Sequence, residues 1–152
     1  KTQQYLHYLR LRHDAIGVGY NTFIDDQPQL TCRLDGINKY LKKLIFIKNN
    51  TKSLTQNKNF QFIDYGKNSF KQNIYDKLLK LNVKSLLVEG GLSIFMTFFR
   101  AGCYDEIVLA KSKNNVVSSS AKYKIKKNLF DGLLEHSNKS YGNDQIIVYI
   151  NK

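Results

Sequence analysis

Residues 85–102 of the chain read SLLVEGGLSIFMTFFRAG, and this stretch decides the fold. Ser85–Val88 is largely apolar without helical periodicity, which predicts a short buried β-strand. Gly90-Gly91 interrupts the pattern, and an apolar segment typical of a helix follows from Leu92 to Ala101. Gly102 comes directly after it, where a glycine commonly ends a helix. The stretch therefore predicts a strand, a glycine turn and a helix in succession.

Segments on both sides repeat this alternation. Helical spacing of apolar residues predicts two further helices, at 2–12 and 70–81. Short apolar runs predict five further strands, at 15–19, 44–47, 60–63, 105–110 and 145–150. Polar or turn-rich composition predicts loops over 19–33, 48–59 and 111–144. Buried strands that alternate with helices indicate an α/β domain with a mostly parallel central sheet and helices on both faces.

The size and composition are those of a single soluble domain. The chain has 152 residues, of which 42% are hydrophobic, and its apolar runs are far shorter than the roughly 20 residues that span a bilayer. We therefore expect one domain over residues 1–152 and no association with a membrane. Cys32 and Cys103 lie far apart without a CxxC pattern, which predicts reduced thiols, no bound metal and a cytoplasmic location.

The charge is strongly positive, with 24 Lys and Arg residues against 12 Asp and Glu and a net charge of +12. Such a chain favours anionic partners, which include phosphorylated small molecules and nucleic acids. Biased use of Lys and Asn is the simpler explanation, because the basic residues are scattered along the chain. No common nucleic-acid-binding signature is present, so nucleic acid is not the expected partner. A basic, catalytically decayed domain that binds nucleic acid or a protein is the alternative function.

Two segments that follow predicted strands carry candidate functional residues, because ligands of open α/β sheets bind beyond the carboxyl ends of the strands. The first segment, 19–33, contains Thr22, Asp26 and Arg33, and the second is Glu89–Ser93. A glycine turn before a helix exposes backbone N–H groups that suit a phosphate. Each feature also has a structural interpretation, as a tight turn, a pair of capping acids or a solvated arginine.

Other chemical motifs receive less support from the spacing of residues. The glycines match neither GxGxxG nor a P-loop, so a classical dinucleotide fingerprint and an NTPase are not indicated. His7, His13 and His136 have no spacing typical of a metal site or a catalytic triad. We predict that these histidines are surface or packing residues.

The ordered combination of short motifs resembles the reductase domain of the bifunctional riboflavin-biosynthesis deaminase/reductase. The resemblance runs from about Leu9 to Leu109. Its motifs are Leu9-Arg10, Asp14-Ala15-Ile16, Thr22, Asp26-Gln27-Pro28, Leu30-Thr31-Cys32-Arg33, Leu87-Val88-Glu89-Gly90-Gly91 and Asp105-Glu106-Ile107.

The resemblance implies a dihydrofolate-reductase-like three-layer α/β sandwich that uses NADPH. The implied reaction reduces a ribosylamino-pyrimidine 5-phosphate and opens its ribose to a ribityl chain. By position, the residues that match the family's substrate-binding residues are Arg10, Leu30, Arg33 and Glu89. Those that match its cofactor-binding residues are Thr22, Asp26, Gly91, Leu92 and Ser93. Because the nicotinamide supplies the hydride, we assign no general acid or base.

The resemblance also implies a homodimer and marks two differences from the family. The deaminase half is not part of this sequence, and the family's opening strand would precede Lys1. We therefore expect a domain without that first strand. A reductase of the same fold that acts on a pterin or another heterocycle is an alternative enzyme. Lys48, Lys52 and Ser53 are candidates for selecting NADPH over NADH.

Overall fold

The computed structural model describes residues 2–34, 36–37, 39–48, 59–66, 69–112 and 127–151. Lys52, Ser53 and most of the predicted 48–59 loop lie outside these residues. The contacts divide the chain into two compact units. One unit is Gln4–Cys103, and the other combines the first three residues with the segment from Tyr104 to the C-terminus. No helix in the described part of the chain is long and apolar enough to cross a membrane.

A four-stranded parallel sheet forms the centre of the Gln4–Cys103 unit, as the alternation of elements predicts. Its strands are β1 (Ala15–Gly19), β2 (Lys42–Ile47), β3 (Gln61–Asp64) and β4 (Leu86–Val88). They lie in the order β3-β2-β1-β4, and every pairing is parallel. The chain therefore leaves β1 toward one side of the sheet and returns on the other side as β4.

Helices cover both faces of this sheet, because side chains alternate between the faces along each strand. Three helices besides α1 (Thr2–Arg12) belong to this unit, namely α2 (Tyr20–Asp26), α3 (Phe70–Lys80) and α4 (Leu92–Arg100). On one face, Leu44 and Phe46 pack with Ile74 of α3 and Phe98 of α4. On the other face, Phe23 of α2 packs against a second buried cluster. That cluster contains Ile16, Val18, Leu30, Leu41 and Ile45.

Two helices end in the same backbone motif, which directs the chain into the next element. Gly102 follows α4 with φ 60°, and its N–H donates to Phe99 O at 3.1 Å while the N–H of Cys103 donates to Phe98 O at 3.0 Å. This Schellman pattern confirms the predicted glycine cap. Asn82 plays the same part after α3, with φ 50°.

The loop predicted over 19–33 is wrong in its first half, because Tyr20–Asp26 forms α2. Seven residues rich in Asn, Thr and Asp carry no readable helical period and a weak helix propensity. Packing overrides that propensity, since the Phe23 ring contacts the rings of Phe60 and Phe62 at centroid distances of 4.9 and 6.0 Å. Asp25 and Asp26 end this helix, so they do not cap a helix N-terminus.

The other unit contains a separate antiparallel sheet. Its strands β5 (Glu106–Ser112), β6 (Leu134–Tyr141) and β7 (Asp144–Ile150) lie in the order β5-β7-β6, and a 3-10 helix (Lys127–Phe130) precedes β6. The predicted strands at 105–110 and 145–150 are confirmed, but they lie in this antiparallel sheet and not in the parallel one. Strand β6 was not predicted, because its sequence LEHSNKSY is polar and mostly exposed, with no apolar alternation.

Candidate functional site

The topology defines where a ligand would bind in the Gln4–Cys103 unit. Strand order reverses between β1 and β4, and ligands of open parallel sheets bind in the crevice outside the carboxyl ends of the strands at such a switch point. Here β1 leads directly into α2 at Tyr20, and β4 leads into Glu89 and Gly90-Gly91. The N–H of Glu89 donates to Gly17 O at 2.8 Å, which holds the end of β4 against β1.

The glycine turn lies directly against Thr22. A Cβ atom on Gly91 would lie 2.5 Å from Thr22 Oγ1, and the φ of Gly91 is 77°. Both facts require glycine, since L-residues rarely adopt this φ and a methyl group has no room there. The Thr22 hydroxyl therefore lies beside the first turn of α4. The N-terminal N–H groups of that turn have no intrahelical partner and favour an anion.

Asp26 is the last residue of α2, and Ser93 lies in the first turn of α4. Asp26 is exposed and lies four residues after Thr22 on α2, which places both on one face of the helix. Leu92 is the first residue of α4, and Ser93 is exposed in its first turn. The structure thus brings Thr22 and Gly91 into contact and places Leu92 and Ser93 at the start of α4.

Arg10 and Glu89 form a bidentate ion pair, although 79 positions separate them. Arg10 Nε donates to Glu89 Oε1 at 2.7 Å, and Nη2 donates to Oε2 at 2.6 Å. Arg10 Nη1 donates to the carbonyl oxygen of Thr31 at 2.6 Å. The side chains are 18% and 22% exposed, and the hydrogen bond to Glu89 raises the pKa of Arg10 above its ordinary value against the opposing effect of burial.

The ion pair with Glu89 limits the number of Arg10 N–H donors that are left for a ligand. The sequence analysis predicted that Arg10 would bind substrate, yet three of its five N–H donors already contact protein atoms. Two N–H groups remain for a ligand, and Glu89 keeps lone pairs on both oxygens. Arg10 therefore orients the Glu89 carboxylate and ties the end of β4 to the segment after α2.

That segment, Gln27–Arg33, presents Arg33 at the surface. Leu30 anchors it, since its side chain is 2% exposed within the second core cluster. The φ of Leu30 is 49°, a left-handed conformation that costs a non-glycine residue about 1–3 kcal/mol. Arg33 Nε donates to Thr31 Oγ1 at 3.3 Å, and Nη2 donates to Gln29 Oε1. The Arg33 side chain is thus exposed but held in place, and Leu30 supports it from the core.

The structure adds His7, which the sequence analysis treated as a surface or packing residue. The backbone N–H of Arg33 donates to His7 Nδ1 at 3.1 Å. Burial lowers the pKa of His7 below its ordinary value of 6.5, and the charges of Arg10 and Arg33 lower it further while Glu89 opposes them. The available signal was the position of His7, three residues before Arg10 on the same helix face.

The arrangement of sheet, helices and site defines the class of protein: a dihydrofolate-reductase-like α/β domain with its site at the strand switch point. A family model, the RibD C-terminal domain, matches residues 1–111, and the chain belongs to this family. The predicted resemblance and fold class are thereby confirmed. Among proteins of curated function, no match to this sequence was found.

Solved structures of riboflavin-biosynthesis proteins have the same fold. The structure of the diaminohydroxyphosphoribosylaminopyrimidine deaminase/5-amino-6-(5-phosphoribosylamino)uracil reductase of Thermotoga maritima is similar with a TM-score of 0.73 at 18% identity, covering 96% of this chain and 47% of that one. RibD of Acinetobacter baumannii gives 0.73 at 16% identity, with 98% and 50% covered. The riboflavin biosynthesis reductase of Saccharomyces cerevisiae gives 0.75 at 15% identity, with 99% and 80% covered. The chain spans about half the length of the two bacterial proteins.

Proposed function

We propose that this domain uses NADPH to reduce 5-amino-6-(5-phosphoribosylamino)uracil to its ribityl form. The Thermotoga relative is named as a reductase of this uracil. The proposal rests on one observation: two kinds of candidate site follow the carboxyl ends of neighbouring strands of the parallel sheet. Thr22 and the glycine turn suit a dinucleotide, and the Arg10–Glu89 pair with Arg33 suits a phosphorylated, hydroxyl-rich substrate.

The residues at the glycine turn fit a nicotinamide dinucleotide. Gly91 leaves the backbone bare where α4 begins, so N–H groups of Leu92 and Ser93 are available to a pyrophosphate. Thr22 would add a hydroxyl donor beside them, and Asp26 would accept from ribose hydroxyls one helical turn away. When bound, NADPH supplies the hydride. The protein's part is to align donor and acceptor carbons and to exclude water.

The substrate half of the site would be formed by three charged residues. Arg33 retains N–H donors that can bind a phosphate in the forked geometry that lysine lacks. Glu89, oriented by Arg10, would accept hydrogen bonds from substrate hydroxyl or amine groups. Leu30 would support this surface from below, because its buried side chain holds the Gln27–Arg33 segment in place.

The test separates the two halves of the site. We expect saturable binding of NADPH, tighter than that of NADH, by nicotinamide fluorescence. Arg33→Ala should raise KM for the phosphorylated substrate about tenfold or more without changing the Kd of NADPH, because a charge-assisted hydrogen bond is lost. Arg12→Ala is the matched control, since Arg12 lies over the Tyr8 ring at 6.0 Å and contacts neither half of the site. Unchanged KM for Arg33→Ala would contradict the proposed role.

The alternative substrate, the oligomeric state, the location and nucleic-acid binding each have a separate test. Turnover that needs no phosphate on the substrate would favour the alternative heterocycle reductase. The homodimer is tested by light scattering of the purified domain, and a cytoplasmic location by cell fractionation. The nucleic-acid alternative is not favoured by the comparisons, and negligible binding of random oligonucleotides near physiological salt is the result we expect.

A further inference from the structure

Three consecutive residues of the Gln27–Arg33 segment each bond to helix α1. The carbonyl oxygen of Thr31 accepts from Arg10 at 2.6 Å, Cys32 Sγ donates to the carbonyl oxygen of His7 at 3.5 Å, and the N–H of Arg33 donates to His7 Nδ1 at 3.1 Å. The last bond is the one that reaches Arg33 itself. It spans 26 positions in sequence and joins a side chain of one element to the backbone of the other.

We propose that His7 is a positioning residue that holds the Arg33 backbone, and with it the guanidinium group, where Arg33 meets the substrate phosphate. This inference rests on the proposed function for the phosphate. The Arg33 side chain contacts Thr31 and Gln29 within its own segment. The hydrogen bond to His7 ties that local arrangement to α1, which also carries Arg10.

The bond requires a neutral imidazole in one tautomer. Since Nδ1 accepts from Arg33, the proton of neutral His7 lies on Nε2. Protonation would turn Nδ1 into a donor that faces another N–H, and the bond would be lost. It would also place a cation beside Arg10 of α1 and Arg33 of the segment, whose charges oppose it, while the Glu89 carboxylate after β4 favours it.

The surroundings of His7 favour its neutral imidazole over the protonated form. Burial and the two arginines lower its pKa below 6.5, so the bond is present at neutral pH and is lost as the pH falls through that lowered pKa. The position of the substrate-binding arginine is therefore coupled to pH on the acid side. We expect phosphate binding to weaken there beyond what the phosphate's own titration causes.

The experiment compares His7→Ala with His7→Asn, whose side-chain oxygen can accept from the Arg33 N–H without titrating. His13→Ala is the matched control, because His13 Nδ1 contacts the carbonyl oxygen of Leu9 and not the Gln27–Arg33 segment. At pH 7.5, His7→Ala should raise KM about threefold to tenfold with kcat unchanged, the loss expected for one neutral hydrogen bond. His7→Asn and His13→Ala should keep the wild-type KM.

The pH profile separates positioning from a merely structural role. A phosphate monoester itself titrates near pH 6, so the wild-type profile is divided by that of His7→Asn, in which this contribution cancels. The ratio of KM values should rise as the pH falls through the lowered pKa of His7. A flat ratio, or a KM for His7→Ala equal to wild type in a variant shown to be folded by circular dichroism, would overturn the proposal.

A second probe keeps the inference separate from the proposed reaction. Ribose 5-phosphate binding, measured by calorimetry, should weaken in both Arg33→Ala and His7→Ala and recover in His7→Asn. If the uracil substrate is not turned over but this pattern holds, the proposed function fails and the role of His7 stands. If ribose 5-phosphate does not bind, or binds His7→Ala as tightly as wild type, the role of His7 is refuted.

Discussion

Gly91→Ala tests the contact between the glycine turn and Thr22. Alanine at φ 77° costs about 1–2 kcal/mol, the penalty for a left-handed L-residue. The new Cβ would also lie 2.5 Å from Thr22 Oγ1, and overpacking of this kind costs about 1–3 kcal/mol more. Gly90→Ala is the matched control, because its φ is 69° but its Cβ would meet Thr22 Cγ2 at an ordinary 3.7 Å.

The assay is urea unfolding combined with fluorescence titration of NADPH. We expect Gly90→Ala to lose only the backbone part of the free energy of unfolding and Gly91→Ala to lose at least about 1 kcal/mol more. Adding Thr22→Ala should recover that excess, since it removes Oγ1. Gly91→Ala should also raise the Kd of NADPH about tenfold above that of Gly90→Ala, because the start of α4 must shift. Equal losses in the two glycine variants would refute the reasoning.

Three further outcomes follow from the hydrogen bonds and packing. A double-mutant cycle of Arg10→Ala and Glu89→Ala, read by urea unfolding, should give a coupling of about 1.5–3 kcal/mol, and additive losses would mean that the pair contributes nothing. The N–H groups that precede β4, chiefly that of Lys84, lower the pKa of Asp14 below 3.8. The stability that the Asp14 carboxylate provides is therefore present above that pH and is lost as the pH falls. Asp14→Asn should make the free energy of unfolding depend less on pH between pH 5 and 3. Gly17→Ala would place a Cβ 2.4 Å from Phe46 Cε2 and should cost about 1–3 kcal/mol, measured as a lower Tm.

Much of the parallel sheet could be predicted because its inner strands β1 and β2 are largely buried and its strands are rich in apolar residues. Leu44–Ile47 and Ser85–Val88 read as continuous apolar runs, and α3 and α4 end in residues with readable capping chemistry. The polar strand β6 could not be predicted from apolar alternation. The turn after it did carry a signal, since Gly142-Asn143 joins β6 to β7 as a two-residue hairpin loop, a combination typical of tight β-turns.

Candidate site residues could be chosen from the sequence, but the contacts among them could not be predicted. Chain order alone identified Glu89, Gly91 and Thr22 as residues that follow strands. The Arg10–Glu89 ion pair depends on where α1 lies relative to β4, and no local pattern specifies that. For the same reason, the contact of Arg10 with the Glu89 carboxylate and the acceptor role of His7 became visible only in the structure.

The most direct measurement of the central claim is transfer of deuterium from the cofactor to the substrate. The purified domain would be incubated with NADPH deuterated at the reactive nicotinamide carbon and with 5-amino-6-(5-phosphoribosylamino)uracil, and the product analysed by mass spectrometry. We predict a ribityl product that carries the deuterium, formed faster with NADPH than with NADH and slowed in Arg33→Ala at low substrate. A folded domain that binds NADPH but forms no deuterated product would contradict the account.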